Sequence, residues 1–303
     1  MLRDEFVKGS LILFIMTNIF NFLSYIFHFS MARILGPADY GILVALMAIV
    51  YIFDIPAESI QIVISRYTSK FNAKKEYGKI KYILIKGLKK GIVLAGILFL
   101  LYLPLSFFLS HFMRIDINLI IITGLLIFGL FLLPVTRGIM QGRKKFKSLG
   151  GNMIIEASVK LIVALILVFF GLRVYGAIGG VVFSVLIALV LSFLFIKEII
   201  KYKIEKIKIG GIYSYSLPVI IATLTIILMV SLDIIFAKRF FPPDIAGRYA
   251  VASMLGKIIF FGTFAIGKAM FPFTSEGFDK GEKTKNLFKK SFLIVSIICF
   301  SVI

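Results

Sequence analysis

Tryptophan is absent from these 303 residues, cysteine occurs once (Cys299), histidine twice and proline eight times. A lone cysteine inside an apolar run excludes a disulfide-stapled fold and says nothing of redox compartment. Eight Pro and 25 Gly in 303 residues exclude collagen-like and low-complexity chains. The two histidines, His28 and His111, are far apart, and no metal-ligand spacing, Gly-rich phosphate loop or nucleophile elbow occurs. No metal and no cofactor is expected. Acidic residues number 15 against 35 Lys and Arg, and charged residues of both signs make up 17%, where a soluble domain carries about 25%. What fills the chain instead is apolar: 60% hydrophobic residues and a mean hydropathy of +1.02. No water-soluble core of this length hides so much apolar surface. The composition predicts an all-α polytopic membrane protein.

A spanning helix needs about 20 apolar residues to cross roughly 30 Å of hydrocarbon. The apolar runs predict helices over 9–32, 41–65, 91–112, 116–136, 152–170, 175–196, 213–236 and 247–271, with a ninth beginning near 291. The net charge of +20 could suggest nucleic acid, but the cations lie in short gaps between apolar runs and not on a water-exposed face. Twenty-six Lys and Arg fall in the N-terminal segment and in the gaps after helices two, four, six and eight, against six in the alternate gaps. Cytoplasmic loops are enriched in Lys and Arg, so the N-terminus is expected in the cytoplasm and the protein in the cell membrane. The first helix has too long an apolar run for a signal peptide, and Asp4 and Glu5 spoil the positive flank. The longest gap, 66–90, is about 25 residues, too little extramembrane chain for phosphatase or glycosyltransferase chemistry; no enzymatic activity is expected. The polybasic gaps are suited to anionic lipid headgroups, each cation giving about 1 kcal/mol near such a surface.

Two connectors resemble one another. The first helix exits into Arg33-Ile34-Leu35-Gly36-Pro37-Ala38-Asp39-Tyr40-Gly41, and the seventh into Arg239-Phe240-Phe241-Pro242-Pro243-Asp244-Ile245-Ala246-Gly247-Arg248-Tyr249. Pro and Gly punctuate a tight turn, and the Asp suits the first turn of the following helix. The copies are about 206 residues and six helices apart. Six is even, so the second copy keeps the orientation of the first, giving a parallel repeat about an axis along the membrane normal. This divides the chain into a six-helix lobe over 1–200, a basic linker over 201–212 and the start of a second lobe over 213–303.

Arg33 to Gly41 resembles the signature that follows the first helix of polysaccharide-biosynthesis membrane proteins, the oligosaccharide-flippase branch of the multidrug/oligosaccharidyl-lipid/polysaccharide exporter superfamily. Gly171-Leu172-Arg173-Val174-Tyr175-Gly176-Ala177-Ile178-Gly179 is similar to that family's connector between helices five and six. Pro218, Asp233 and Tyr249 sit where its seventh and eighth helices often carry such residues. The resemblance runs along essentially the whole chain and implies two six-helix lobes around a central cavity. It also implies movement of a lipid-linked oligosaccharide or polysaccharide precursor between leaflets. One departure is that Ser291–Ile303 is 13 residues, about 20 Å of helix, so the ninth span is expected to be incomplete. A multidrug cation exporter of the same architecture and a truncated, non-transporting scaffold are the alternatives.

Polar groups within apolar spans are costly and usually face a cavity or a partner. On the first helix Asn18, Asn21, Tyr25 and His28 occupy a stripe roughly 80° wide, either a cavity wall for sugar hydroxyls or a packing surface. Arg33 closes that helix. Asp54 and Glu58 are one turn apart with Pro56 between them; two close carboxylates share a proton in low dielectric, so they are candidates for coupling to H⁺ or Na⁺, or for pairing with inner cations. Glu156 and Lys160 stand at i, i+4 in the favourable order, which predicts an intrahelical ion pair. Lys257 and Lys268 lie on one face of helix eight about 16 Å apart. Lys257 is the candidate for the substrate's phosphate or pyrophosphate, and Asp233 its rival partner.

Overall fold

The computed structural model describes residues 2–207 and 216–257, together with 289, 292, 293 and 296. Among the described residues every regular element is a helix. The chain separates into two compact units, Met1–Gly247 and Arg248–Ile303.

A continuous helical run, Leu2–Ala73, is broken once, at Gly36 with φ 74° and ψ 172°. That backbone is open only to a residue without Cβ, and Pro37 follows with the φ a first helical turn wants. The break makes two segments able to run antiparallel, α1 (2–35) and α2 (37–73). After Lys74–Glu76, α3 is Tyr77–Met113. Arg114 takes a left-handed conformation and Asp116 caps the next helix by accepting from the Asn118 amide at 2.9 Å. The span α4 is Ile117–Gly142, interrupted at Leu125 between Ile117–Gly124 and Leu126–Gly142. Helix α5, Phe146–Leu167, ends in a π-helical turn, Val168–Leu172, with Gly171 at φ 87°. Then come α6, Arg173–Phe195, a short turn Lys197–Ile200, and α7, Ser216–Phe240; α8 covers 243–257.

Among the described residues four apolar runs are long enough to cross a membrane: Ile12–Phe53, Tyr77–Met113, Ile117–Gly142 and Phe146–Phe195. The last, at 50 residues, would be about 75 Å if straight; the turn at Gly171 folds it into two crossings, as Gly36 folds the first. The expected all-α membrane architecture is therefore the observed one. The helices, however, run further than the apolar segments. Residues 66–73 and 77–90, expected in a loop, are helical, and only Lys74–Glu76 turn the chain. Lysine is a good helix former, so a helix continues into water past the point where hydropathy stops marking it.

Helix α4 is central and α3 peripheral: 67% of the α4 apolar window is buried against 17% of that of α3. The outward residues of α3, including Leu100, Leu101, Phe107 and Phe108, form a lipid-facing side. At the basic end Ile80, Leu84, Val135, Ile139, Met140, Leu149, Ile196 and Ile199 make a buried cluster tying α3, α4 and α5 to the 197–200 turn. Membrane helices gain little from the hydrophobic effect against one another and associate by close packing of small residues. Gly138 and Gly142 of α4 admit the backbone of α2, where Cβ atoms would meet the Gln61 and Ser65 carbonyls. Gly180 of α6 admits α5, where a Cβ would sit 2.6 Å from the Ala164 nitrogen.

Gly180→Leu should therefore overpack the α5–α6 hairpin and lower stability by about 1–3 kcal/mol or more, measured as thermal unfolding in detergent. Gly151→Leu, where nothing lies within 4 Å of a Cβ, should stay close to the parent.

Candidate functional site

The polar groups inside the spans converge on α1, α4 and α5. Arg137 of α4 donates from Nε to Asn152 Oδ1 at 2.9 Å and from Nη2 to Glu156 Oε2 in an ion pair. Asn152, fully buried on α5, donates from its own Nδ2 to the Ala188 carbonyl of α6 at 2.7 Å. Arg137 and Glu156 side chains are 14% and 15% exposed, so this pair sits where charge is expensive and hydrogen bonds must satisfy it. The expected Glu156–Lys160 pair is thus replaced: a cation from a neighbouring helix takes the carboxylate. A guanidinium satisfies both an amide oxygen and a carboxylate through its fork of donors, which an ammonium on the same helix does not.

Released from that role, Lys160 reaches α1. Its Nζ donates to Ser24 Oγ at 3.0 Å and lies 5.1 Å from the Phe27 ring centroid and 5.8 Å from that of Phe20. Coulombic interactions connect it to Glu156 and to His28. Aromatic faces and a hydroxyl are what a partly desolvated ammonium needs when no carboxylate is next to it.

Ser24 lies beside the predicted stripe. Asn18 and Asn21 are exposed on α1, and Tyr25 and His28 half-buried. Asn18 Nδ2 turns back to its own helix, donating to the Phe14 carbonyl at 2.8 Å. His28 Nδ1 shares a 3.4 Å hydrogen bond with the Tyr40 hydroxyl of α2, and its ring stands edge-on to Phe27 and Tyr40. The structure therefore brings the α1 stripe next to a cation, Lys160, that spacing alone assigns elsewhere. Arg33 is exposed at the end of α1 and Glu58 exposed on α2. Asp233 is half-buried on α7 and engaged by a neighbour. Lys257, half-buried and also engaged, belongs to the second unit. The Asp54 side chain and Lys268 lie outside the described residues.

Two ends of the bundle carry further charge. At the basic end Lys145 and Arg143 donate to Glu198 Oε2 at 2.9 and 3.1 Å, and these bonds, that of Lys145 first, hold the Glu198 carboxyl below its usual range. Beside them the segment that follows is held along α3: Lys81 Nζ donates to the Ile200 carbonyl at 2.6 Å, the Glu205 amide donates to the Gly78 carbonyl at 3.2 Å, and Tyr202 packs on Tyr77. At the other end Arg173 Nε donates to Asp39 Oδ2 at 2.7 Å. The Tyr175 hydroxyl donates to Asp116 Oδ2 at 2.7 Å and, with the Asn118 amide, keeps that carboxyl low. Sequence spacing gives no sign of these pairs, since Asp39 and Arg173 are 134 residues apart. The legible cue is that each pair joins connectors on one side of the predicted membrane.

Among the described residues no group of three His, Cys, Asp or Glu is arranged to hold a metal ion. The chemistry on offer at α1 is hydrogen bonding and a displaced cation.

Arg137→Gln leaves the Glu156 carboxylate buried without its partner and should cost about 3–5 kcal/mol, read from thermal unfolding; adding Glu156→Gln should restore most of it. The Glu198 clasp has a depressed carboxyl, so its contribution is present above the ordinary value of 4.5 and lost as pH falls through its lower folded value. Limited proteolysis should cut 201–207 faster on acidification from about pH 6 to about pH 3, and Glu198→Gln should be cut readily across that whole range.

Residues 6–278 match the family model for polysaccharide biosynthesis protein. An uncharacterized membrane protein of Methanocaldococcus jannaschii is 26% identical over 291 residues, covering 90% of this chain and 67% of that protein. Among solved structures, an inward-facing multidrug resistance MATE family transporter of the MOP superfamily is 16% identical with a TM-score of 0.62, over 94% of this chain and 67% of that one. The MATE multidrug transporter DinF-BH is 17% identical with a TM-score of 0.59, over 99% and 70%. The chain thus spans about two thirds of the length of these relatives. At such identities the solved structures speak for the fold alone, a MATE-like helical bundle. The family match covers most of the sequence, and the protein belongs to the polysaccharide biosynthesis protein family of membrane proteins.

Proposed function

We propose that this protein moves a lipid-linked oligosaccharide or polysaccharide precursor between the leaflets of the cell membrane by alternating access. The observation that carries this reading is Lys160, an intramembrane cation delivered to the polar stripe of α1 because Arg137 has taken Glu156. Hydrocarbon rejects the sugar headgroup and accepts the lipid tail, so a flippase need shelter only the head. Lys160 supplies charge for the phosphate; Asn18, Asn21, Tyr25 and His28 supply hydrogen bonds for sugar hydroxyls, with Arg33 at the exit of the same helix. Lys257 and Lys268 are the candidate substrate-binding cations of the second half. Asp54, Glu58 and Asp233 are the candidates for coupling to H⁺ or Na⁺.

In this reading residues 1–200 form one lobe, 201–212 the linker and 213–303 belong to the second, facing lobe, with the repeat axis along the membrane normal. The N-terminus is cytoplasmic on the charge bias, and the basic end holds anionic lipid headgroups. A multidrug exporter of the same fold would bind organic cations, for which an ammonium in the cavity wall is unfavourable.

Inverted vesicles loaded in parallel with labelled lipid-linked sugar and with a cationic dye separate the two. Sugar translocation is expected, and Lys160→Gln should reduce it by about 10- to 100-fold, the value of a charge-assisted hydrogen bond, with Lys160→Arg retaining part. Dye export without sugar movement would overturn the assignment. Unaltered translocation by Lys257→Glu would remove that lysine from the substrate path.

A further inference from the structure

Gly41 and Gly247 occupy equivalent places in the two similar connectors, 206 positions apart, and they touch. A Cβ on Gly41 would lie 3.0 Å from Gly247 Cα, and a Cβ on Gly247 would collide with the Pro37 carbonyl. A residue that meets its own repeat equivalent lies beside the axis relating the copies, as at an isologous contact. This contact is at the end opposite the basic one. Around it, α7 closes on the first helices. Phe236 stands edge-on to Phe112 at 6.4 Å, and the Arg239 guanidinium lies 5.5 Å from the same ring. Lys238 is 7% exposed although it is a lysine at a helix end. Its Coulombic partner is Asp39, itself 8% exposed and already accepting from Arg173. One carboxylate in the first turn of α2 thus bonds a cation from the α5–α6 turn and attracts, through its charge, a buried one from α7.

We propose that this end of the bundle is a closed gate, sealed where Gly41 meets Gly247 and latched by the attraction between Lys238 of α7 and Asp39, which Arg173 holds in place. The seal rests on the preceding reading in one respect, that α7 belongs to a lobe that moves against the first six helices. Opening requires the two connectors to part. Small residues make that possible, since two backbones in contact through glycine separate without disentangling side chains. The latch supplies the holding energy between two buried groups, Asp39 and Lys238. Arg173, 74% exposed at its side chain, remains on Asp39 when α7 leaves, so the carboxylate is not stranded in the open state.

The test reads the gate without any substrate. In a Cys299→Ser background, Ser231→Cys on α7, at a site 1% exposed, is labelled with a membrane-impermeant maleimide in right-side-out vesicles. Ser184→Cys in the α6 core, 0% exposed, is the control. Labelling of Ser231→Cys should rise severalfold on adding Asp39→Asn, which unlatches the seal, and on adding Gly247→Ala, which wedges it; Asp39→Glu should restore protection, and Ser184→Cys should stay unlabelled throughout. Unchanged labelling in both variants overturns the proposal, and so does a rise at positions 231 and 184 alike, which would mark general loosening. A failed sugar assay with this labelling pattern would refute the substrate and leave the gate standing.

Discussion

A carboxylate enclosed in a membrane bundle needs a positive partner, and the choice of partner for Glu156 governs how the rest of the first six helices is organised. Because Arg137 reaches it from α4 while also holding Asn152, α4 and α5 are joined through one guanidinium, and Asn152 extends the network to the α6 backbone. Every hydrogen-bonding atom gained there reduces the cost of keeping charge in low dielectric. The same choice leaves Lys160 for α1, where rings and a hydroxyl receive it. The joining of α4, α5 and α6 and the placement of an ammonium at the α1 stripe are therefore two outcomes of one electrostatic requirement.

The two similar connectors give the opposite end its character. In each copy the connector must reverse a helix in very few residues, which calls for Pro and Gly, and small residues are also what allow two connectors to meet backbone to backbone. Pro37 serves both, opening α2 after the Gly36 break and lying with its carbonyl against Gly247. The acidic residue of the first connector is drawn inward to cations of α7 and the α5–α6 turn, whereas Asp244 of the second is exposed. The two connectors share a turn motif and differ in what surrounds the acidic residue.

Fold class, crossings and the two tight connectors were legible in the sequence, because hydropathy and Gly-Pro punctuation act locally. Helix ends at the basic side were not, since Lys-rich helix in water leaves no apolar trace. The stripe of Asn18, Asn21, Tyr25 and His28 follows from spacing on one helix. Its neighbour Lys160 does not, because a ready partner stood one turn away and nothing along the chain ranks Arg137, 19 residues distant from Glu156, above it. Arg137 reads as one more cation flanking a span until α4 is seen to extend to Gly142. Pairs such as Asp39–Arg173 depend on which helix ends become neighbours, a property of the assembled bundle.

Helix α3 contains 37 residues, about 55 Å of rod at 1.5 Å per residue, where the hydrocarbon layer is roughly 30 Å thick. Its far end stops at Met113, just short of the Asp116 cap of α4, so nearly all the surplus projects on one side. Lys79, Lys81, Lys86, Lys89 and Lys90 ride on that projection as rungs at successive heights. A lipid surface met by such a ladder feels attraction graded with distance, and tilting of the rod changes how many rungs are in reach. Bilayer thickness and headgroup charge would then act on α3 together, through its inclination.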